Sequence, residues 1–194
     1  MELISAAVLL FIIMDPLGNI PLFLAVLKGV KPERRFRLLV RELLIALFAL
    51  VTFLFLGKPI MTLLALRQES VAVAGGIVLF LIGVKMVFPS RDGIFGELPE
   101  GEPFIVPLAI PCVAGPSVMA ALLLLSNKEP GRWDEWLLAL GLAWLATSVI
   151  LLSATRLQKL LGNSLIHALE KLMGMLLVAV SVQMMLDAIK VFLA

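Results

Sequence analysis

The sequence predicts an all-α membrane protein of about six transmembrane helices, built as two inverted three-helix repeats whose first and fourth helices are broken. Three observations carry this expectation. Of 194 residues 61% are apolar and 15% charged, with mean hydropathy +1.09, which is more apolar surface than a soluble domain of this size can bury. Charge-free runs recur along the chain at lengths that suit membrane crossings. Two of those runs carry prolines five residues apart, Pro16 with Pro21 and Pro111 with Pro116.

Taken in order, the runs place helices near 3–27, 38–57, 69–88, 103–126, 135–155 and 169–191. The first holds a lone Asp15 between two apolar stretches, and Glu2 without a nearby Lys or Arg argues against a cleaved signal peptide, so the segment is expected to stay. Some runs are shorter than a full crossing. Arg41, Lys58, Lys85 and Lys190 stand at their ends, where long side chains reach the interface. The basic cluster Lys28, Lys31, Arg34, Arg35, Arg37 and Arg41 follows the first span and is assigned to the cytoplasm. Six spans then place eleven of the 16 basic residues inside and five outside, with both termini facing out. The cluster reads as an orientation signal rather than a partner-binding surface.

Composition also removes whole classes of function. With 16 Lys and Arg against 14 Asp and Glu, the net charge of +2 speaks against disorder and nucleic-acid binding. The single cysteine, Cys112, leaves no internal disulfide and no two-thiol relay, and the single histidine, His167, gives metal binding little support. No HExxH, no GxGD aspartate pair and no Ser with a His at depth argues for an intramembrane enzyme. No cofactor is expected.

The chain also repeats itself. The proline pairs recur at an offset of 95, and Gly76-Ile-Val-Leu-Phe-Leu-Ile-Gly83-Val-Lys85-Met86 lies over Gly174-Met-Leu-Leu-Val-Ala-Val-Ser181-Val-Gln183-Met184 at an offset of 98. The units divide at 1–93 and 94–194 and together form one membrane domain. Because each unit has an odd number of spans, the second enters the membrane from the opposite side. Chance similarity of Leu-rich helices is the competing explanation, but proline costs about 3 kcal/mol inside a helix in water and is not filler.

Asp15-Pro16-Leu17-Gly18-Asn19-Ile20-Pro21 and Ile110-Pro111-Cys112-Val113-Ala114-Gly115-Pro116-Ser117 each put two prolines and a glycine in mid-span, so both helices are expected to unwind there. Irregular backbone at that depth needs protein or a watery cavity around it. The second proline of each pair suits the first position of a new helix, with Asn19 or Ile20 capping one and Gly115 the other. In inverted repeats the two half-helix N-termini converge near the midplane and favour an anion such as a carboxylate. Asp15 can receive an ammonium group or carry a coupling proton, or it can cap amides freed by the break. Asn19 suits either a zwitterion or a helix cap, and Ser117 is the weaker candidate. Gly75, Gly76, Gly83 and Gly174 read as close-packing positions, and the Met residues of the sixth span as packing.

FIIMDPLGNIPLFLAVLKG in the first span, AGGIVLFLIGVKMVFP in the third and PFIVPLAIPCVAGPS in the fourth resemble the MarC family of bacterial and archaeal inner-membrane proteins, also called the small neutral amino acid transporter family. The similarity covers nearly the whole chain. It implies six spans and carriage of small neutral amino acids such as glycine and alanine, with a proton or other ion gradient as a source of coupling. Its motifs fall on Asp15, Pro16, Gly18, Asn19 and Pro21, and on Pro111, Gly115 and Pro116; Ser117 stands where family members often have Gly. The leading expectation is a secondary transporter in the cytoplasmic membrane that binds an amino acid between the two breaks by alternating access. An exporter or channel for another small metabolite or ion, and a non-transporting membrane subunit, are the alternatives.

Overall fold

A computed structural model describes the backbone of residues 2–27, 30–88, 108–128 and 131–193, and the side chains of these except 127–128 and 155–167. The described residues are almost wholly helical. In chain order they form α1 (Leu3–Met14), α2 (Pro16–Leu27), α3 (Pro32–Leu63), α4 (Gln68–Val87), a π-type turn (Leu108–Val113), α5 (Pro116–Lys128) and α6 (Trp133–Leu193). Five apolar stretches are long enough to cross a bilayer, Leu3–Leu27, Pro32–Leu63, Gln68–Val87, Trp133–Ala154 and Ala168–Leu193, and Pro116–Ser126 is a shorter sixth.

One element differs from the sequence expectation. The second span starts at Pro32 rather than near 38, so Arg34, Arg35 and Arg37 are helical; proline suits the first helical position and arginine propagates the helix well. The fifth and sixth spans are present as two separate apolar lengths, Trp133–Ala154 and Ala168–Leu193, within the helical stretch α6. Its two apolar lengths are nevertheless not collinear. Thr147 and Leu177 would stand about 45 Å apart on a straight axis, yet the Thr147 hydroxyl lies 3.5 Å from Met14 Sδ and Leu177 shares a cavity wall with Met14. The boundary expected between the repeats, at 93 and 94, falls outside the described residues, as does the 103–107 start of the fourth span.

One core runs through both halves of the chain. Each helix contributes a stripe at three- and four-residue spacing: Ala6, Leu10 and Met14 from α1; Leu39, Leu43, Ala46, Leu50 and Leu54 from α3; Trp136, Ala139, Leu140, Ala143 and Leu151 from α6. Opposite faces carry Ile4, Ile12, Phe48, Leu145, Val149 and Met175 to the outside, an apolar exterior suited to lipid. Two of the polar groups inside show how partners are found. The Trp144 indole donates to the Leu43 carbonyl at 2.8 Å, and Arg41 donates to the buried Glu42 carboxylate through Nε at 3.1 Å and Nη2 at 2.9 Å.

Small residues bring α4 and α6 together. A Cβ added to Gly83 would lie 2.9 Å from the Gly174 carbonyl, one added to Gly174 would lie 3.0 Å from the Gly83 carbonyl, and one added to Gly76 would lie 3.1 Å from the Ser181 carbonyl. Backbones this close leave no room for a methyl group. Gly75 does the same for α5, since its added Cβ would fall 2.2 Å from the Pro116 ring.

Candidate functional site

Proline decides where the first span opens. Its ring disfavours the right-handed helical conformation for the residue before it, and Asp15, before Pro16, takes φ 41° and ψ 61°, a left-handed conformation that Asp tolerates better than most residues. The break is one residue long. The Asp15 N–H still donates to the Ile12 carbonyl at 3.1 Å, and the Asn19 N–H donates to the Asp15 carbonyl at 3.1 Å, already the first bond of α2. The Asp15 carboxylate accepts the Gly18 N–H at 3.0 Å, which satisfies one of the amides that a helix start leaves without an intrahelical partner. Gly18 leaves space for that carboxylate, because an added Cβ would sit 2.1 Å from Asp15 Oδ2.

Here the sequence expectation needs correction. The helix restarts at Pro16, the first proline of the pair, with Asp15 as its cap instead of Asn19 or Ile20; Pro21 lies inside α2. Pro16 presets the backbone for a first helical position and lacks only an N–H that would have had no helical partner. Pro21 removes one later bond, to the Leu17 carbonyl, and the helix continues.

The second break is longer and made of backbone. Ile110, before Pro111, is extended at φ −127° and ψ 127°, and the Ile110–Pro111 peptide is cis. The Ala114 N–H donates to the Ala109 carbonyl at 2.8 Å, a five-residue step, and α5 begins at Pro116, as the sequence leads one to expect. Gly115 is held by a close approach, since its added Cβ would lie 2.8 Å from the Pro111 carbonyl oxygen. A glycine in this position offers no side chain to cap α5.

Asn19 ties the two breaks together. Its Nδ2 donates to the Met14 carbonyl at 2.9 Å and to the Cys112 carbonyl at 3.2 Å, one acceptor from each interrupted span. Between the breaks lies a cavity of about 270 Å³, near the lower end of the roughly 300–1,000 Å³ usual for ligand pockets. Asp15, Gly18 and Asn19 line it from one side, and Pro111, Gly115, Pro116 and Ser117 from the other. Pro16 and Pro21 are buried beside it and are not on its wall. Asp15 is exposed and is the one acidic or basic side chain among the described residues of this wall. No three His, Cys, Asp or Glu side chains gather among the described residues in a way that could hold a metal.

Sequence reasoning missed part of the wall. Leu79 of α4 and Met173, Leu177 and Met184 of α6 close the cavity, although the methionines read as packing alone. The glycines of α4 and α6 were the available signal, because the close approach they allow packs these two helices against each other. Cys112 acts through its carbonyl rather than its thiol, a role that side-chain chemistry cannot announce.

The profile of the MarC family integral membrane proteins matches residues 1–193. The UPF0056 inner membrane protein YhgN of Escherichia coli (strain K12) is 53% identical over 193 residues, covering 99% of this chain and 98% of that protein. A UPF0056 membrane protein of Buchnera aphidicola subsp. Schizaphis graminum is 48% identical over 189 residues, 97% and 96% of the two chains. One from Chlamydia pneumoniae is 32% identical over 192 residues, 97% and 94%. No solved structure matches this chain at a significant level.

Proposed function

This chain belongs to the MarC family of integral membrane proteins, and on that premise we propose that it is a secondary transporter of small neutral amino acids, glycine- or alanine-sized, in a bacterial inner membrane. The observation that carries the reading is the cavity between the two interruptions, with one carboxylate on its wall from the first break and, from the second, the start of α5, where Gly115 has no side chain to act as a cap. A zwitterion has a carboxylate for the Ser117 and Val118 amides and the positive end of α5. Its ammonium suits the Asp15 carboxylate and neighbouring carbonyls. The small volume and the apolar remainder of the wall favour a small uncharged side chain.

Alternating access needs two units that can rock against each other. In support, the contacts between α4 and α6 are reciprocal under the offset of 98: Gly76 meets Ser181, and Gly83 meets Gly174, so each pair maps onto the other when the repeats are exchanged. An antiparallel crossing on a two-fold axis in the membrane plane produces this pattern. In this reading α2 and α5 are the second halves of two broken helices, starting at mid-depth and running to opposite faces. The basic cluster before and within the start of α3 lies on the cytoplasmic side, and both termini lie outside.

The test is uptake of labelled glycine or alanine into proteoliposomes, with and without a pH gradient, for the native protein and Asp15→Asn. Asparagine keeps the left-handed conformation and a capping oxygen but loses the charge. Saturable uptake that falls about tenfold or more in the variant supports the reading, a loss of about 1.4 kcal/mol in transport efficiency. Absence of saturable uptake overturns it, and linear flux would point to a pore.

A further inference from the structure

A second, larger cavity of about 500 Å³ lies beside the central one and shares four wall residues with it, Pro116, Ser117, Val180 and Met184. It opens between the start of α4 and the end of α6, with Glu69, Gln183 and Asp187 on its wall. Asp187 is six residues from the end of α6, about 9 Å into the span, and Met184 about 13 Å. The Gln183 amide donates to the Asp187 carboxylate at 2.9 Å. Carboxylates at that depth are costly in hydrocarbon, which favours water over lipid in this cavity. Its inner end is narrowed by one contact. The Ser117 hydroxyl, in the first turn of α5, lies 3.7 Å from Met184 Sδ.

We propose that the outer cavity is the access vestibule of the central pocket and that Met184, resting against Ser117, is the gate that separates them and sets the size of molecule that passes. The inference rests on the reading of the central cavity as a substrate site. Methionine has three rotatable side-chain bonds and swings aside without movement of α6. Glu69 and Asp187 make the mouth attractive to the ammonium end of an amino acid and repel a free anion. The gate also stands over the start of α5, so a carboxylate that passes Met184 meets the first turn of that helix next.

Thiol labelling in sealed vesicles tests this without any amino acid. In a Cys112→Ala background, Ala120→Cys reports the outer cavity and Leu79→Cys the central one. A membrane-impermeant quaternary-ammonium methanethiosulfonate and its sulfonate counterpart are applied from each face. Ala120→Cys is expected to react from the face that carries the α3–α4 connector. Its preference for the cationic reagent should shrink when Glu69→Gln and Asp187→Asn are added. Leu79→Cys should react from that face about tenfold faster once Met184→Ala is added, because the rate follows the open fraction, and more slowly with Met184→Trp. An Ala120→Cys that reacts with neither reagent from that face, or a Leu79→Cys whose rate ignores residue 184, overturns the proposal. If labelling behaves as expected and neither glycine nor alanine is taken up, the gate stands and the assigned substrate falls.

Discussion

The two interruptions solve one problem by different means. At the first, side chains repair the backbone: the Asp15 carboxylate caps the Gly18 amide, and the Asn19 amide satisfies the Met14 carbonyl within a single residue of disorder in the helix. At the second, the backbone folds on itself over Leu108–Val113, with Gly115 pressed against the Pro111 carbonyl. A break held by its own side chains brings charge to the cavity, and a break held mainly by backbone puts a glycine where α5 could otherwise carry a capping side chain. The pair is therefore chemically polar although its sequence motifs look alike.

Substituting alanine at equivalent-looking positions can break this contrast. Gly115→Ala should be the most damaging, about 3 kcal/mol, at the upper end of overpacking costs, because the added methyl meets a carbonyl oxygen that cannot move alone. Its thermal unfolding midpoint in detergent should fall furthest of the variants here. Asn19→Ala should follow at about 2 kcal/mol, since two carbonyls lose a donor and the link between the breaks is cut. Gly18→Ala displaces only the end of the Asp15 side chain and should cost about 1 kcal/mol, the value of a lost cap. Equal losses at Gly18 and Gly115 would mean that the two breaks are held alike, and the contrast would fail. Ser117→Ala should shift stability by no more than about 0.5 kcal/mol, because its contact with Met184 is weak and its side chain is exposed. A large loss there would show that the second break also depends on a side chain of its own.

Much of this site was legible in the chain. Proline reveals a break from sequence because its ring constrains the residue before it wherever it stands, which is why Asp15 and Ile110 leave the helix. Glycine at 18 and 115 marks close approach for the same local reason. Which proline restarts the first helix was not legible, since Pro16 and Pro21 are both compatible with a first helical position and the choice fell to the Asp15 cap. The extent of α3 also escaped hydropathy, which marks the apolar length and is silent on the charged turns that precede it.

The sequence by itself determined that this chain lives in a membrane and that the backbone leaves the helix before Pro16 and Pro111, because each of these follows from local sterics or from transfer out of water. Only the tertiary structure decided that Asn19 reaches Cys112, that Met184 stands over Ser117, and that Leu79 and Leu177 complete the wall. Those contacts join residues far apart in sequence, and their partners are chosen by how glycine-paired helices pack, a choice that no single segment encodes.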